Sequence, residues 1–325
     1  MRWQAHYRDE LVSQDGRRLI EGALARHAGG DERLVRAFEE LGIVSFPHTT
    51  LAGSADPLAR VATSLLAFRP ERIVALGVLH GGATPEPFRS LHDSYLLGDD
   101  AEAARRAFDV LSGAFYRSDP GLAAAGELAA AGEDAVRVVR EHPALLADEF
   151  SLDLFLAVLA AAARARGVAV PPVLPLYVLL TRDPTGSFET ADRLAEVVAH
   201  LRGRARTALV VTGDVVHFGN AYSSEEELAL WPDDPESLEA EFRHEVVQAL
   251  ALAFEREDDE GFYRVSLERL KNDQRNLLPV VRRLAGPGAR AEILSFELTD
   301  YSGIWGVARP CVVASALIVF GPPGS

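Results

Sequence analysis

From residue 42 onward the chain alternates short, unbroken apolar runs with segments whose apolar residues recur at helical spacing. Residues 42–47 (Gly-Ile-Val-Ser-Phe-Pro) read as a buried strand closed by Pro47. Residues 56–68 read as a helix with Pro57 in its first turn, and 72–79 as a second buried strand. Strand, helix and strand in this order form a βαβ unit, so the two strands are expected to lie parallel and side by side. A strand with no polar face has to be covered on both sides. The pattern therefore confines the chain to a sheet flanked by helices.

The remaining segments extend the pattern. Residues 17–40 read as two helices separated by Gly29 and Gly30, with Asp31 as an N-cap. Residues 100–141 are Ala-rich and read as helical, broken near Pro120 and Gly132. A helix over 148–166, a strand over 172–180, a helix over 187–202 capped by Ser187 or Thr190, and a strand over 207–212 follow. Residues 224–285 read as helical with an acidic solvent face, and 292–298 and 312–320 as two final strands that pair antiparallel. The expectation is one α/β domain over 1–325, with a mostly parallel, mixed sheet between helices. Residues 1–41 form a helical N-terminal extension, and 321–325 a frayed tail.

Charge excludes some partners. The 325 residues carry 48 acids against 33 bases, a net charge of −15. Clustered positive charge is what phosphate contacts need, so no nucleic-acid partner is expected, and no anionic membrane surface. The first twenty residues show no signal-peptide run, and the apolar stretch at 152–163 is too short to span a bilayer. Cys311 is the only cysteine, which excludes an internal disulfide and any multi-cysteine metal site and fits a reducing, cytoplasmic setting. Lys271 is the only lysine; a GC-rich coding bias explains that shortage without a functional role.

Four expected strands end in polar residues: at His48, at His80-Gly81-Gly82, at Asp214 to His217, and at Asp300 to Ser302. In open α/β sheets, sites lie beyond the carboxyl ends of the strands. A single imidazole there usually serves a structural hydrogen bond, but His48 and His80 at matched strand ends suit a metal. His217 follows Asp214 by three residues, a spacing at which the acid either orients the imidazole or caps a following helix. Cys311 reads as a small buried hydrophobe. His92 sits in a segment able to line a cleft. No P-loop, no GxSxG elbow and no HExxH motif is present.

Five segments in order resemble the Memo-like family, which shares its fold with the catalytic subunits of class III extradiol ring-cleaving dioxygenases. They are Ser45 to His48, Leu76 to His80, Glu149 to Asp153, Thr212 to Gly219, and the last strand from Val312. The resemblance spans residues 42–320. It implies that His48 and His80 are metal ligands, with Fe(II) the metal expected and Mn(II), Cu or Zn as alternatives. It also implies that Asp214 and His217 line the site, His217 acting as acid–base. The family's cysteine ligand is missing from the loop before the last strand, where Asp300 is the candidate substitute. Phe150 replaces a family histidine.

Two main readings follow, and a weaker third. One is a non-haem Fe(II) oxygenase acting on a small phenolic or related substrate, with Phe46, Phe218, Tyr301 and Trp305 near enough in sequence to bound a flat molecule. The other is a non-catalytic metal- or ligand-binding protein, and a metal-dependent hydrolase is a third. The helices at 224–285 leave room for a homo-oligomer.

Overall fold

The computed structural model describes residues 3–40, 42–117, 137–203 and 206–321. Among the described residues nine strands form one sheet: β1 Ile43–Phe46, β2 Arg72–Val78, β3 Ala114–Tyr116, β4 Val139–Glu141, β5 Val173–Val178, β6 Thr207–Thr212, β7 Val216–Gly219, β8 Arg290–Asp300 and β9 Cys311–Gly321. The order is β4-β3-β5-β2-β6-β1-β9-β7, with β8 also paired to β9. The four central strands β5, β2, β6 and β1 are parallel, and each is buried along its whole length. Apart from Ser45, Arg72, Thr207 and Thr212 their residues are apolar, on both faces, as helices on both sides require. Toward one margin β9 runs antiparallel to β1 and β7 on one edge and to nearly all of β8 on the other; toward the opposite margin β3 runs antiparallel to β5 and parallel to β4.

Alternate residues of each strand feed opposite cores. Val44, Phe46, Ile73 and Ala75 pack with Leu58 and Leu65 of the helix Leu51–Phe68 and with Phe155 and Leu159 of the helix Asp153–Arg166. Ile43, Val74 and Leu76 pack with Leu194 and Val198 of Glu189–Arg202 and with Phe242 and Val246 of Pro235–Phe254. Among the described residues no helix is long and apolar enough to cross a membrane.

Several expectations need correction. β1 and β2 are parallel but not side by side, because the fully buried β6 inserts between them. The helix after β1 begins at Leu51, so Pro57 lies inside it and not in its first turn. The segment after 100 contains the two short strands β3 and β4 besides the helix Ala101–Leu111, while Pro120 and Gly132 lie outside the described residues. Asp214 caps no helix: the chain turns from β6 straight into β7, which carries His217. The helix expected from 148 starts at Asp153. Residue 321 ends β9, and the rest of the expected tail lies outside the described residues. The helical expectation for 224–285 holds for most of the segment, but Lys271 at φ 49° ends a π-helical turn there and a 3-10 turn, Asp273–Asn276, follows.

Candidate metal centre

Phe46 pairs with Thr212 and Leu76 with Val211, so β1, β2 and β6 end at nearly the same level. That register brings His48, His80 and Asp214 to one edge of the sheet although the two histidine strands are not neighbours. The imidazoles of His48 and His80 meet edge to face, with centroids 4.9 Å apart. β7 runs back from the turn after Asp214 and delivers His217 to the same place.

A residue with no candidate role in the sequence completes the group. Asp273 Oδ2 lies 3.3 Å from His48 Nε2, 3.6 Å from His80 Nε2 and 3.7 Å from His217 Nε2. This oxygen is buried and makes no well-formed hydrogen bond among the described residues. A buried carboxylate oxygen in that condition is costly unless something cationic sits against it.

The other nitrogen of each ring has a partner. His80 Nδ1 faces the Glu149 carboxylate at 3.3 Å, His217 Nδ1 faces the Lys271 carbonyl at 2.9 Å, and His48 Nδ1 faces Thr212 Oγ1 at 3.2 Å. A carbonyl or carboxylate only accepts, so Nδ1 of His80 and His217 carries the proton. In the neutral ring the lone pair is then at Nε2, aimed at Asp273. This is how metal-binding histidines are oriented from behind. Two groups of side chains have ligand atoms within 4.8 Å of one another and could hold a metal ion: His48, His80 and Asp273, and Asp214, His217 and Asp273.

Each carboxylate is tuned by its surroundings. Burial works to raise Asp273, but the His217 charge and the facing rings of His48 and His80 outweigh it and hold the group well below the usual range. Burial raises Asp214 over the opposing pull of His48 and His217. Burial disfavours the charged form of His80, yet Glu149 and Asp273 override it and push this imidazole up to about 10. Asp214 does not orient His217 as its spacing suggests. Its Oδ1 accepts from the backbone N–H of His48 at 3.1 Å, while its Oδ2 lies 3.8 Å from His48 Nε2.

The Asp273 turn is clasped to the strand ends. The Gln274 side chain donates to the Gly213 carbonyl at 2.8 Å and to Ser45 Oγ at 2.7 Å, and the Asp273 N–H donates to the Asp214 carbonyl at 3.1 Å. A Cβ on Gly213 would come within 2.4 Å of Gln274 Cγ, so only glycine permits this approach.

Asp300 is not part of the group. It lies at the end of β8, where it accepts from the Ser302 N–H at 2.9 Å and the Ser302 hydroxyl at 2.6 Å and pairs with Arg309 at 2.7 Å. It lies one residue before Tyr301, the N-cap of the short helix Ser302–Trp305, and these local bonds to Ser302 and Arg309 take up its oxygens. Cys311 is buried among Tyr301 and Val313, as a small hydrophobe would be. Phe46 and Phe218 belong to the two cores. Tyr301 and Trp305 instead line a cavity of about 260 Å³ over the imidazoles, together with Trp3, Tyr7, Phe150 and Tyr222. Phe150 stacks on His80 at 4.5 Å and 15°.

No protein-family model matches the chain, and no curated protein sequence does.

Proposed function

We propose that the protein is a metal-dependent oxygenase of small phenolic substrates, with an Fe(II)-type ion held by His48, His80 and Asp273. The observation that carries this reading is the convergence of three imidazole Nε2 atoms on one buried, unbonded carboxylate oxygen. Two imidazoles, His80 giving up its Nε2 proton to the incoming ion, and one carboxylate are the donor set of non-haem iron oxygenases, and they suit Fe(II) or Mn(II) better than Cu(I) in the absence of a thiolate. When bound, such an ion supplies O₂ activation beside a phenolate.

The chain's own residues do the rest. Glu149 and Thr212 fix the rings of His80 and His48 from behind. His217, held by the Lys271 carbonyl, lines the cavity with its Nε2 3.7 Å from Asp273 Oδ2 and takes the phenolic proton. Trp3, Phe150, Tyr222 and Trp305 shape a slot for a flat ring and keep water out. The resemblance to Memo-like proteins and extradiol dioxygenases supports the same chemistry, with Asp273 in the place of the missing thiolate.

The test is metal content after anaerobic reconstitution, followed by O₂ uptake with a panel of catechols. Wild type is expected to bind about one Fe(II) per chain and consume O₂, while Asp273→Ala and His48→Ala lose the metal and Asp300→Ala keeps it. Absence of metal uptake by wild type overturns the reading. Stoichiometric iron with no O₂ uptake across the panel overturns the oxygenase half and leaves a metal-binding protein.

A further inference from the structure

A second, larger cavity of about 870 Å³ opens beside the candidate metal centre and shares Trp3, His80, Asp273 and Trp305 with the smaller one. Its charge runs against that of the chain, whose net charge is −15. Arg8, Arg89 and Arg275 line it, opposed by Asp148 and by Asp273, which already faces three imidazoles. His92 on its wall adds no charge at neutral pH, because burial and the Arg275 charge push it down to about 4.

Among the described residues none of these three arginines is ion-paired. Arg89 donates to the Thr84 carbonyl and Arg275 to the Asn272 carbonyl, both neutral acceptors. Arg275 Nε is buried and has no hydrogen-bond partner among the described residues. A buried guanidinium donor left unmet calls for an acceptor from outside the chain. Arg275 also follows Asp273 by two residues on the same 3-10 turn. Asn276 pins that turn to Thr181, whose N–H donates to its Oδ1 at 3.0 Å. One rigid element thus sets the spacing between the carboxylate of the metal centre and this cation.

We propose that the larger cavity binds an oxyanionic group, a carboxylate or a phosphate ester, on the substrate's aromatic body, with Arg275 as its main contact and Arg8 and Arg89 at the exposed rim. This rests on the oxygenase reading and names the substrate class for that site. The planar fork of a guanidinium matches either oxyanion in a two-point contact. A local cluster of cations is also what an anion needs to approach a strongly acidic protein.

The test is calorimetric titration of the purified full chain with benzoate, phenyl phosphate and the neutral benzamide. One of the two anions is expected to bind at least about tenfold more tightly than benzamide, and Arg275→Gln to abolish that preference. The tighter anion identifies the headgroup. Arg275 is partly buried, so the exposed pair Arg8→Gln/Arg89→Gln supplies a second variant, expected to weaken the anion several-fold and leave benzamide unchanged. Equal affinity for all three probes, or anion binding that survives every replacement, overturns the proposal. Metal content measured on the same samples separates the two readings. Metal uptake without anion preference removes only the oxyanion site, and anion preference without metal uptake removes only the metal centre.

Discussion

Glu149 is 2% exposed and nonetheless held below the usual carboxylate range: burial works to raise it, and the charge and ring of His80 outweigh that. It accepts from the backbone N–H groups of His80 at 2.8 Å, Phe150 at 2.8 Å and Ser151 at 2.7 Å. It thereby ties the end of β2 to the start of the next helix and fixes the His80 ring in one orientation. Glu149→Gln keeps the size but loses the charge, and one amide cannot accept all of these bonds. Metal affinity is expected to fall about 10–100-fold, read by competition with a chelator, while the far-ultraviolet circular dichroism stays native. His217 gives the complementary case. His217→Ala is expected to retain the metal and to lose about 10²–10⁴-fold in turnover. Loss of metal in that variant would make His217 a ligand instead of the base.

Among the elements, the turn Asp273–Asn276 decides the site, and it is the part least legible in the amino-acid sequence. His48, His80 and His217 stand out because each terminates or interrupts an apolar strand, and a polar residue there has few bland explanations. Asp273 stands in a long acidic, helix-rich stretch where one more aspartate carries no signal. The signal present is the run Asn272 to Asn276, five polar residues without an apolar face, which a continuous amphipathic helix does not contain. Of these five, Asn272, Gln274 and Asn276 are buried: Asn272 caps the turn by accepting from the Gln274 N–H, while Gln274 and Asn276 bond the backbone of Gly213 and Thr181, far away in sequence. Such long-range clasps leave no local pattern. For the same reason Asp300, at a visible strand end, looked the better ligand. Gly213→Ala tests the turn itself. Its Cβ would press on Gln274 Cγ at 2.4 Å, so the turn must withdraw. The expected result is about 1–3 kcal/mol lost in urea unfolding and a larger loss of metal affinity, with the sheet intact. Unchanged metal affinity would show that Asp273 reaches its position without that clasp.

At the scale of the whole molecule, the alternation of apolar runs and helices is enough to read an α/β architecture with a sheet between two layers of helices, because burial on both faces demands it. The strand order was not legible, since β6 enters the sheet through contacts far apart in sequence. The same long-range packing links global stability to one histidine. His92, 6% exposed, is pressed so closely against the end of β2 that a Cβ on Gly81 would lie 2.3 Å from its ring. Burial first, and then Arg275, bring its pKa from 6.5 to about 4. Above pH 6.5 the ring is neutral folded or unfolded, and proton binding costs nothing. As the pH falls from 6.5 to 4 only the unfolded chain takes up the proton, so stability declines. The total reaches about 3 kcal/mol near pH 4, below which both states are protonated. Asp153 works in the opposite sense: burial raises it to about 6, so the folded chain gains protons, and stability, over part of the same window. The measurement that isolates His92 is therefore a difference. Urea unfolding at pH 7 and pH 4.5 is compared for wild type and for His92→Gln, which carries no titrating ring. Wild type is expected to lose about 2–3 kcal/mol more than the variant over this interval. Parallel losses in the two proteins would mean that His92 takes its proton without unfolding, and that its packing against Gly81 opens at low cost.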